Sequence, residues 1–353
     1  MCKVSSIKIL IVGSQSPASI EVFFRMGLQQ LGCSVEVFEP AKLVSTSTLA
    51  RLRFRFYDTG IFRRANEALV AYCERAKPDV VWIFKGIEIM PATISAIKAT
   101  GALVVNYNPD HPYIRTSITH GGRNVPACVP MYDLYFSYHR ELAQAVGPAG
   151  VWLPFGFHLP QEQYERVMHA GEIVRACFVG TLDRERAALL SWLTSTGVPI
   201  DVYGPINRHA RKLVGLRNIR VHATVFDDDL WRVLRSYRVQ LNFFRPHNHG
   251  SHNQRTFEVP AVGGILLTPG SDEQRAFFEP GSEMLVYGSP AEMQAQIDRL
   301  LSLSTPRVAE MRQAARTRSV TSGYSYAHRA AAAHVAIMQV YQSHSHSGRG
   351  SRG

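Results

Sequence analysis

Cysteine is scarce and scattered in this sequence. The five thiols, Cys2, Cys33, Cys73, Cys128 and Cys177, are spread over 353 residues with no C-x-x-C pair. That argues against a disulfide framework and against a cysteine zinc site. Long apolar runs are also missing. No stretch of about 18 apolar residues occurs, so no transmembrane helix is expected. The apolar run after the opening MCKVSSI is too short for a signal peptide and reads as a first strand. These absences point to a reducing cytoplasm. The dinucleotide fingerprint G-x-G-x-x-G is absent too, because the loop Gly13-Ser14-Gln15-Ser16-Pro17 holds a single glycine. Acidic residues are outnumbered, 28 against 39 Lys and Arg, for a formal net charge of +11. Such a field favours anionic partners: phosphate-bearing ligands, nucleic acid or an acidic membrane surface. No nucleic-acid recognition motif accompanies it, so no nucleic-acid partner is expected.

What is present is a soluble globular composition, with 46% hydrophobic and 19% charged residues. The length suits two domains, each with its own core. Ile7–Val12, a helix over about 19–31 closed by Gly32, and Ser34–Phe38 form a β-α-β unit with short connections, the signature of a parallel sheet. Strands continue at Val80–Phe84, Leu103–Asn106 and Asp133–Ser137. The pattern restarts at Val174–Val179 and runs through Ile200–Tyr203, Ile219–His222 and Val239–Phe244. The expected division is residues 1–160, residues 161–325, a closing helix over 326–342, and a disordered tail over 343–353 of Ser, His, Gly and Arg. The polar segment Leu159–Glu172 is the expected hinge.

Ligands of parallel sheets sit at the carboxyl ends of the strands, and three stretches there carry chemistry. Gly13 and Ser14 follow the first strand and would line a cleft. Asp110 and His111 follow the fourth, in Asn108-Pro109-Asp110-His111-Pro112. A carboxylate beside an imidazole suits acid/base work, while the plainer reading is a turn in which Asp110 bonds local amides. The stretch SHNQRTFEVPAVGGILLTP (251–269) reads as loop, short helix, glycine turn and buried strand. A helix start beside a ligand suits a diphosphate. Arg255 would add a charge-assisted bond, and Glu258 lies where it could meet sugar hydroxyls. The plainer reading is a core helix with a surface salt bridge.

Metal signals are weak. Asp227-x-Asp229 resembles a metal pair but directly precedes an apolar-periodic helix, so capping is the preferred reading. His247, His249 and His252 have no acidic or thiol neighbour in the chain, and contacts to phosphate or sugar are preferred over a metal. Arg51–Arg64 (RLRFRFYDTGIFRR) reads either as a patch for acidic lipid or an anionic acceptor, or as a solvated segment before the next helix.

Taken together, FVGTLDRER, DVYGP, VFDDDLWRVLRSYRVQLNFF, NQRTFEVPAVGGILLTP, YSYAHRA, NPDHP and VWLPFG resemble a glycosyltransferase of the GT-B fold, nearest the CgeB-like (spore-protein-like) group. The resemblance implies an α/β chain of two Rossmann-like domains facing across a cleft, with the C-terminal helix packing back on the first. It implies transfer of a sugar from a nucleotide-diphosphate donor, with no cofactor and no metal. Gly180, Thr181, Arg184 and Arg255 would line the diphosphate, Tyr203 and Gly204 would border the base, and Glu258 would hold ribose or sugar hydroxyls. Asn253, Gly263 and Gly264 belong to the same donor stretch, and Asp110 and His111 would face the acceptor.

Two departures stand out. Gly250 occupies the position where retaining relatives carry a first glutamate, so stereochemistry is open. His158 replaces the aspartate that follows the Pro-x-Gly turn. The acceptor would be a glycan, a lipid-linked sugar or a small molecule, in cell-surface glycan synthesis, with contact to an acidic membrane as an additional expectation. The alternatives are a sugar-nucleotide epimerase on the same fold and a non-catalytic nucleotide- or glycan-binding protein.

Overall fold

The structure is a computed structural model that describes residues 6–44, 47, 59–114, 124–245 and 250–347. The chain divides into two compact units, residues 1–155 with 326–353, and residues 156–325.

The first unit is built on β1 (Lys8–Val12), β2 (Ser34–Phe38), β3 (Val80–Phe84), β4 (Leu103–Asn108), β5 (Leu134–Ser137) and β6 (Gly150–Trp152). They form one six-stranded sheet in the order β2-β1-β3-β4-β5-β6, parallel throughout. β3 and β4 are buried at every position, which is why VVWIF and LVVNYN show no polar alternation: helices cover both faces. Phe24, on the helix Ile20–Gln30, packs against Trp82 with ring centroids 5.0 Å apart.

The C-terminal helix belongs to this unit, as expected. Tyr326, Ala330, Ala333 and Ile337 enter the same core as Phe24 and Leu28. A Cβ on Gly27 would lie 2.5 Å from that of Ala330, so the small residues let the two helices approach closely. Tyr341 then donates to Asp79 at 2.9 Å. The expected helix end near residue 342 is corrected: the helix runs Tyr326–Ser347. No Gly or Pro interrupts it before Gly348, and Ser343 Oγ bonds the carbonyl of Gln339 one turn back at 2.9 Å.

The second unit holds β7 (Ile173–Val179), β8 (Ile200–Tyr203), β9 (Ile219–His222), β10 (Tyr237–Leu241), β11 (Leu266–Pro269) and β12 (Leu285–Tyr287). The order is β12-β11-β10-β7-β8-β9, again all parallel. Counted within the unit this is 3-2-1-4-5-6 read from the opposite edge, the order of doubly wound nucleotide-binding sheets. Four of its helices start on side-chain caps, from Asp183, Asn207, Ser271 and Ser289. Asp183 accepts from the Arg186 amide, and Ser289 from the Glu292 amide, with Glu292 reaching back to Gly288 N–H at 2.6 Å. The second pair resembles a capping box, with the glutamate reaching one residue further back, to Gly288.

Two local expectations change here. The segment expected as a hinge contains the helix Gln161–Val167, which packs on the helix Asp227–Ser236. Gln163 and Arg166 face Asp228 at 3.0 and 2.7 Å, and these cross-helix bonds give the polar segment its fold. Asp227 and Asp229 do not cap by side chain. Phe226 is the capping residue, and Asp227–Asp229 fill the first turn, where carboxylates complement the helix dipole. The described cysteines are free and buried; burial pushes the Cys73 and Cys128 thiols up to about 11 and about 12. Among the described residues no helix is long and apolar enough to cross a membrane.

Candidate functional site

In a doubly wound sheet the ligand crevice opens beyond the carboxyl ends of the strands, where the strand order reverses. In the second unit that point lies between β7 and β10. A cavity of about 210 Å³ opens there, lined at its rim by Phe178, Val179 and Gly180 from one strand end and by Leu241, Asn242 and Phe243 from the other. Arg186, Asn253, Gln254 and Arg255 complete it.

Arg186 and Arg255 supply the charge. Arg186, in the first turn of the helix Arg184–Ser195, spans the crevice, donating to the carbonyls of Thr181 (3.1 Å) and Phe243 (2.7 Å). Its guanidinium lies 5.7 Å from the Phe178 ring centroid, and burial lowers its pKa. Arg255 opens the helix Arg255–Ala261, donates weakly to Val179 at 3.5 Å and pairs with Glu258 one turn on. Burial lowers its pKa to about 10, so it remains charged at neutral pH. Asn242 holds the floor: its amide group exchanges bonds with Asn253 (2.7 and 3.1 Å) and donates to Thr268 at 3.0 Å. Gln274 ties Thr268 to Thr256 from below at 3.1 and 3.0 Å. The polar groups are therefore fixed by one another before any ligand arrives, which is what electrostatic preorganisation requires.

The structure brings together Gly180, Asn253 and Arg255 of the expected donor set. Tyr203 and Gly204 stand at the end of the adjacent strand. The Tyr203 ring stacks on His222 at 4.4 Å, and its hydroxyl meets Tyr237, which donates to Asp201 at 2.6 Å. A Cβ on Gly204 would sit 2.3 Å from the Gly180 carbonyl oxygen, so glycine is required for this approach. Thr181 is exposed and contributes its carbonyl to Arg186.

Other residues of the set fall elsewhere. Arg184 points to solvent, and Arg186 takes the place expected for it. Arg186 lies four and seven residues before the buried Leu190 and Leu193, on the inward stripe of the helix, and that spacing is the signal for it. Gly263 and Gly264 lie before β11, at the amino end of the sheet. Gly263 ends the helix with φ 75°, and a Cβ on Gly264 would meet the Leu234 carbonyl at 2.4 Å. They are a packed turn and do not line the donor crevice. Glu258 is buried against Arg255. His252 is fully buried against Glu273 at 2.7 Å, which removes it from sugar or phosphate; His247 and His249 lie outside the described residues. Asn242 escaped notice because nothing in VQLNFF distinguishes a strand asparagine from its neighbours. Among the described residues no three His, Cys, Asp or Glu side chains converge as a metal site.

In the first unit the order reverses between β1 and β3. Gly13 and Ser14 follow β1; Ser14 N–H donates to Glu21 at 3.3 Å, and a Cβ on Gly13 would meet Glu21 Cγ at 2.8 Å. Lys85 follows β3 in the left-handed region, φ 61°, which costs a non-glycine residue energy and flags a site. Its ammonium meets Asp110 at 2.6 Å. Asp110 N–H also bonds Asn108 Oδ1 at 3.0 Å, so the turn and the strand-end carboxylate are both present. His111 Nδ1 accepts from the Tyr113 and Ile114 amides at 3.2 Å each, which places the proton on Nε2. Burial, and then the nearby His139, lower its pKa. His111 Nδ1 is thus held by backbone amides, and Asp110 by the Lys85 ammonium and the turn to Asn108.

Two parallel, doubly wound units, one of order 2-1-3-4-5-6 and one of order 3-2-1-4-5-6, make this a GT-B-type chain of two Rossmann-like domains. Residues 184–334 match the family described as glycosyl transferase-like. No curated protein matches the sequence. Similar solved structures include a glycosyltransferase from Rickettsia africae (TM-score 0.64, 12% identity, 96% of this chain and 99% of that one). Anabaena HepE in complex with UDP and glucose is similar at TM-score 0.60 and 12% identity, over 94% and 100% of the two chains. So is a Listeria monocytogenes protein provisionally described as a UDP-N-acetylglucosamine 2-epimerase, at 0.61 and 14%, over 96% and 98%. At such identities the likeness is one of fold.

Proposed function

We propose that this chain is a glycosyltransferase that takes a sugar from a nucleotide-diphosphate donor held by the second unit. The observation that carries the proposal is the pair of arginines, Arg186 and Arg255, fixed at the β7/β10 switch point around a cavity of about 210 Å³. Full ligand pockets run to about 300–1,000 Å³, so this volume suits the diphosphate portion, with the base extending toward Tyr203 and Gly204. Two guanidinium groups beside the departing phosphate would supply the charge stabilisation that other transferases draw from a metal, and we propose a metal-independent reaction with no resident cofactor. Asp110 would take the proton from the acceptor hydroxyl, with Lys85 orienting it and His111 donating through Nε2. The acceptor is a hydroxyl-bearing glycan, lipid-linked sugar or small metabolite. Kinship with the CgeB-like group and a place in cell-surface glycan synthesis belong to the same proposal.

The test is thermal stabilisation by UDP, GDP, dTDP, ADP and CDP. A ligand at about 100 times its Kd raises stability by about 2.7 kcal/mol. One diphosphate stabilising the wild type and failing with Arg255→Ala supports the donor site. No response to any of them from folded protein at millimolar concentration rules it out. Epimerisation is the second reading, supported by the likeness to the Listeria protein. Release of nucleotide diphosphate only when an acceptor is added separates transfer from it.

A further inference from the structure

We infer that the β9 edge of the second unit is a docking surface for membranes rich in anionic lipid. It lies outside the donor site and goes beyond the proposed activity. From Ile206 to His222 the chain has no acidic residue. It carries Arg208, Arg211, Lys212, Arg217 and Arg220, all exposed. Arg208 and Arg211 bound a one-turn helix, Arg217 lies in the loop that follows it, and Arg220 stands on β9, the outermost strand of its sheet. Two other arginines of this unit are instead held by carboxylates: Arg175, half-buried, by Asp201, and Arg238, buried, by Glu172.

Solubility and protection of an open sheet edge would account for the cations alone. They do not account for the aliphatic side chains interleaved with them. Ile206 is 50% exposed, Val214 61% and Leu216 39%, although unexposed aliphatic neighbours such as Leu213 and Ile219 show that the local core is already filled. Cations that draw a surface toward anionic headgroups, together with aliphatic tips that enter the interface, are the two components of peripheral membrane binding. A nucleic-acid surface would instead offer aromatic rings for stacking, and this stretch has no Phe, Tyr or Trp.

The experiment is co-sedimentation of the full chain with vesicles of phosphatidylcholine alone or mixed with phosphatidylserine, over a salt series. Wild-type protein is expected to sediment only with the mixed vesicles, and less as salt rises. Each cation removed should weaken partition about fivefold, so Arg208→Glu, Arg211→Glu and Lys212→Glu together should abolish it at an unchanged circular dichroism spectrum. Ile206→Ser with Val214→Ser should weaken it while leaving the salt dependence in place, and provides the readout if the charge variant misfolds. Three results would overturn the inference. The first is failure of the folded wild type to sediment with the mixed vesicles. A folded triple variant that binds as the wild type does would put any membrane contact elsewhere, Arg51–Arg64 included. Retardation of single-stranded RNA that the triple variant loses, without vesicle binding, would make this a nucleic-acid surface.

Discussion

At the switch point of the second unit the charged groups are two arginines anchored on carbonyl oxygens. At that of the first they are a lysine and an aspartate bonded to each other at 2.6 Å. In the second unit Glu258 offsets Arg255, while Arg186 Nε has its carboxylate neighbour Asp183 no closer than 3.7 Å, so the crevice keeps an excess of positive charge. At an effective dielectric constant of 20, a unit charge 4 Å away is worth about 4 kcal/mol. An anion gains from such a place and a neutral hydroxyl does not. In the first unit Lys85 and Asp110 cancel, and the pair is partly exposed. Such a pair favours a neutral group over an anion, in keeping with the proposed acceptor hydroxyl. Two parallel sheets thus carry differently charged strand ends, and the proposed division between diphosphate and acceptor hydroxyl rests on that contrast.

Asp110→Asn should have the largest effect and would break the comparison if it failed. A positioned general base contributes about 10²–10⁴-fold, so turnover should fall by that order while stabilisation by the nucleotide diphosphate stays as in the wild type. Equal loss of both would mean that Asp110 serves the fold and not the acceptor. Arg255→Ala should do the reverse. A hydrogen bond to a charged group is worth about 1.5–3 kcal/mol, so nucleotide affinity should drop roughly 10- to 100-fold, measured by titration calorimetry.

The glycines sharpen the comparison along the second sheet. Gly204→Ala and Gly264→Ala each put a Cβ within 2.3 or 2.4 Å of a carbonyl oxygen, and each should lower stability by about 1–3 kcal/mol in urea unfolding. Only Gly204→Ala, at the carboxyl end, should also weaken nucleotide binding at temperatures where both variants are folded. Weakened binding with Gly264→Ala would restore the donor role first assigned to it.

The sequence exposes strands more readily than side-chain directions. VVWIF and VQLNFF are legible because a parallel strand buried on both faces must be apolar throughout, and the strand ends then locate Gly180, Tyr203 and Asp110. Which arginine of Asp183-Arg184-Glu185-Arg186 turns inward depends on the phase of a helix whose end is uncertain by a residue or two. Gly263-Gly264 reads as part of the donor stretch because close backbone packing and close ligand approach ask for the same residue. Lys85 was not legible as a site residue. Its left-handed backbone is imposed by the β3 turn, where Lys85 N–H bonds the Tyr107 carbonyl at 2.9 Å, a partner far away in sequence.

The smallest expected effects concern acid, and they separate the two units by window. In the first unit His111 has a pKa lowered from 6.5 by burial. The unfolded chain therefore binds that proton more readily, and the native state loses stability as pH falls below 6.5. In the second, Asp228 is held from 3.8 down to about 2, chiefly by hydrogen bonds from Arg166 and Gln163. Its contribution is complete above pH 3.8 and is lost as pH falls toward 2, again because the unfolded state binds the proton first. His111→Gln should flatten the melting temperature of the chain just below pH 6.5 and leave its most acid limb unchanged. Arg166→Ala should do the opposite, and only slightly, since an exposed pair contributes little. Melting curves for both variants across pH, read beside amide exchange resolved to each unit, check the assignment. Protection lost first in the second unit on mild acidification would reverse it.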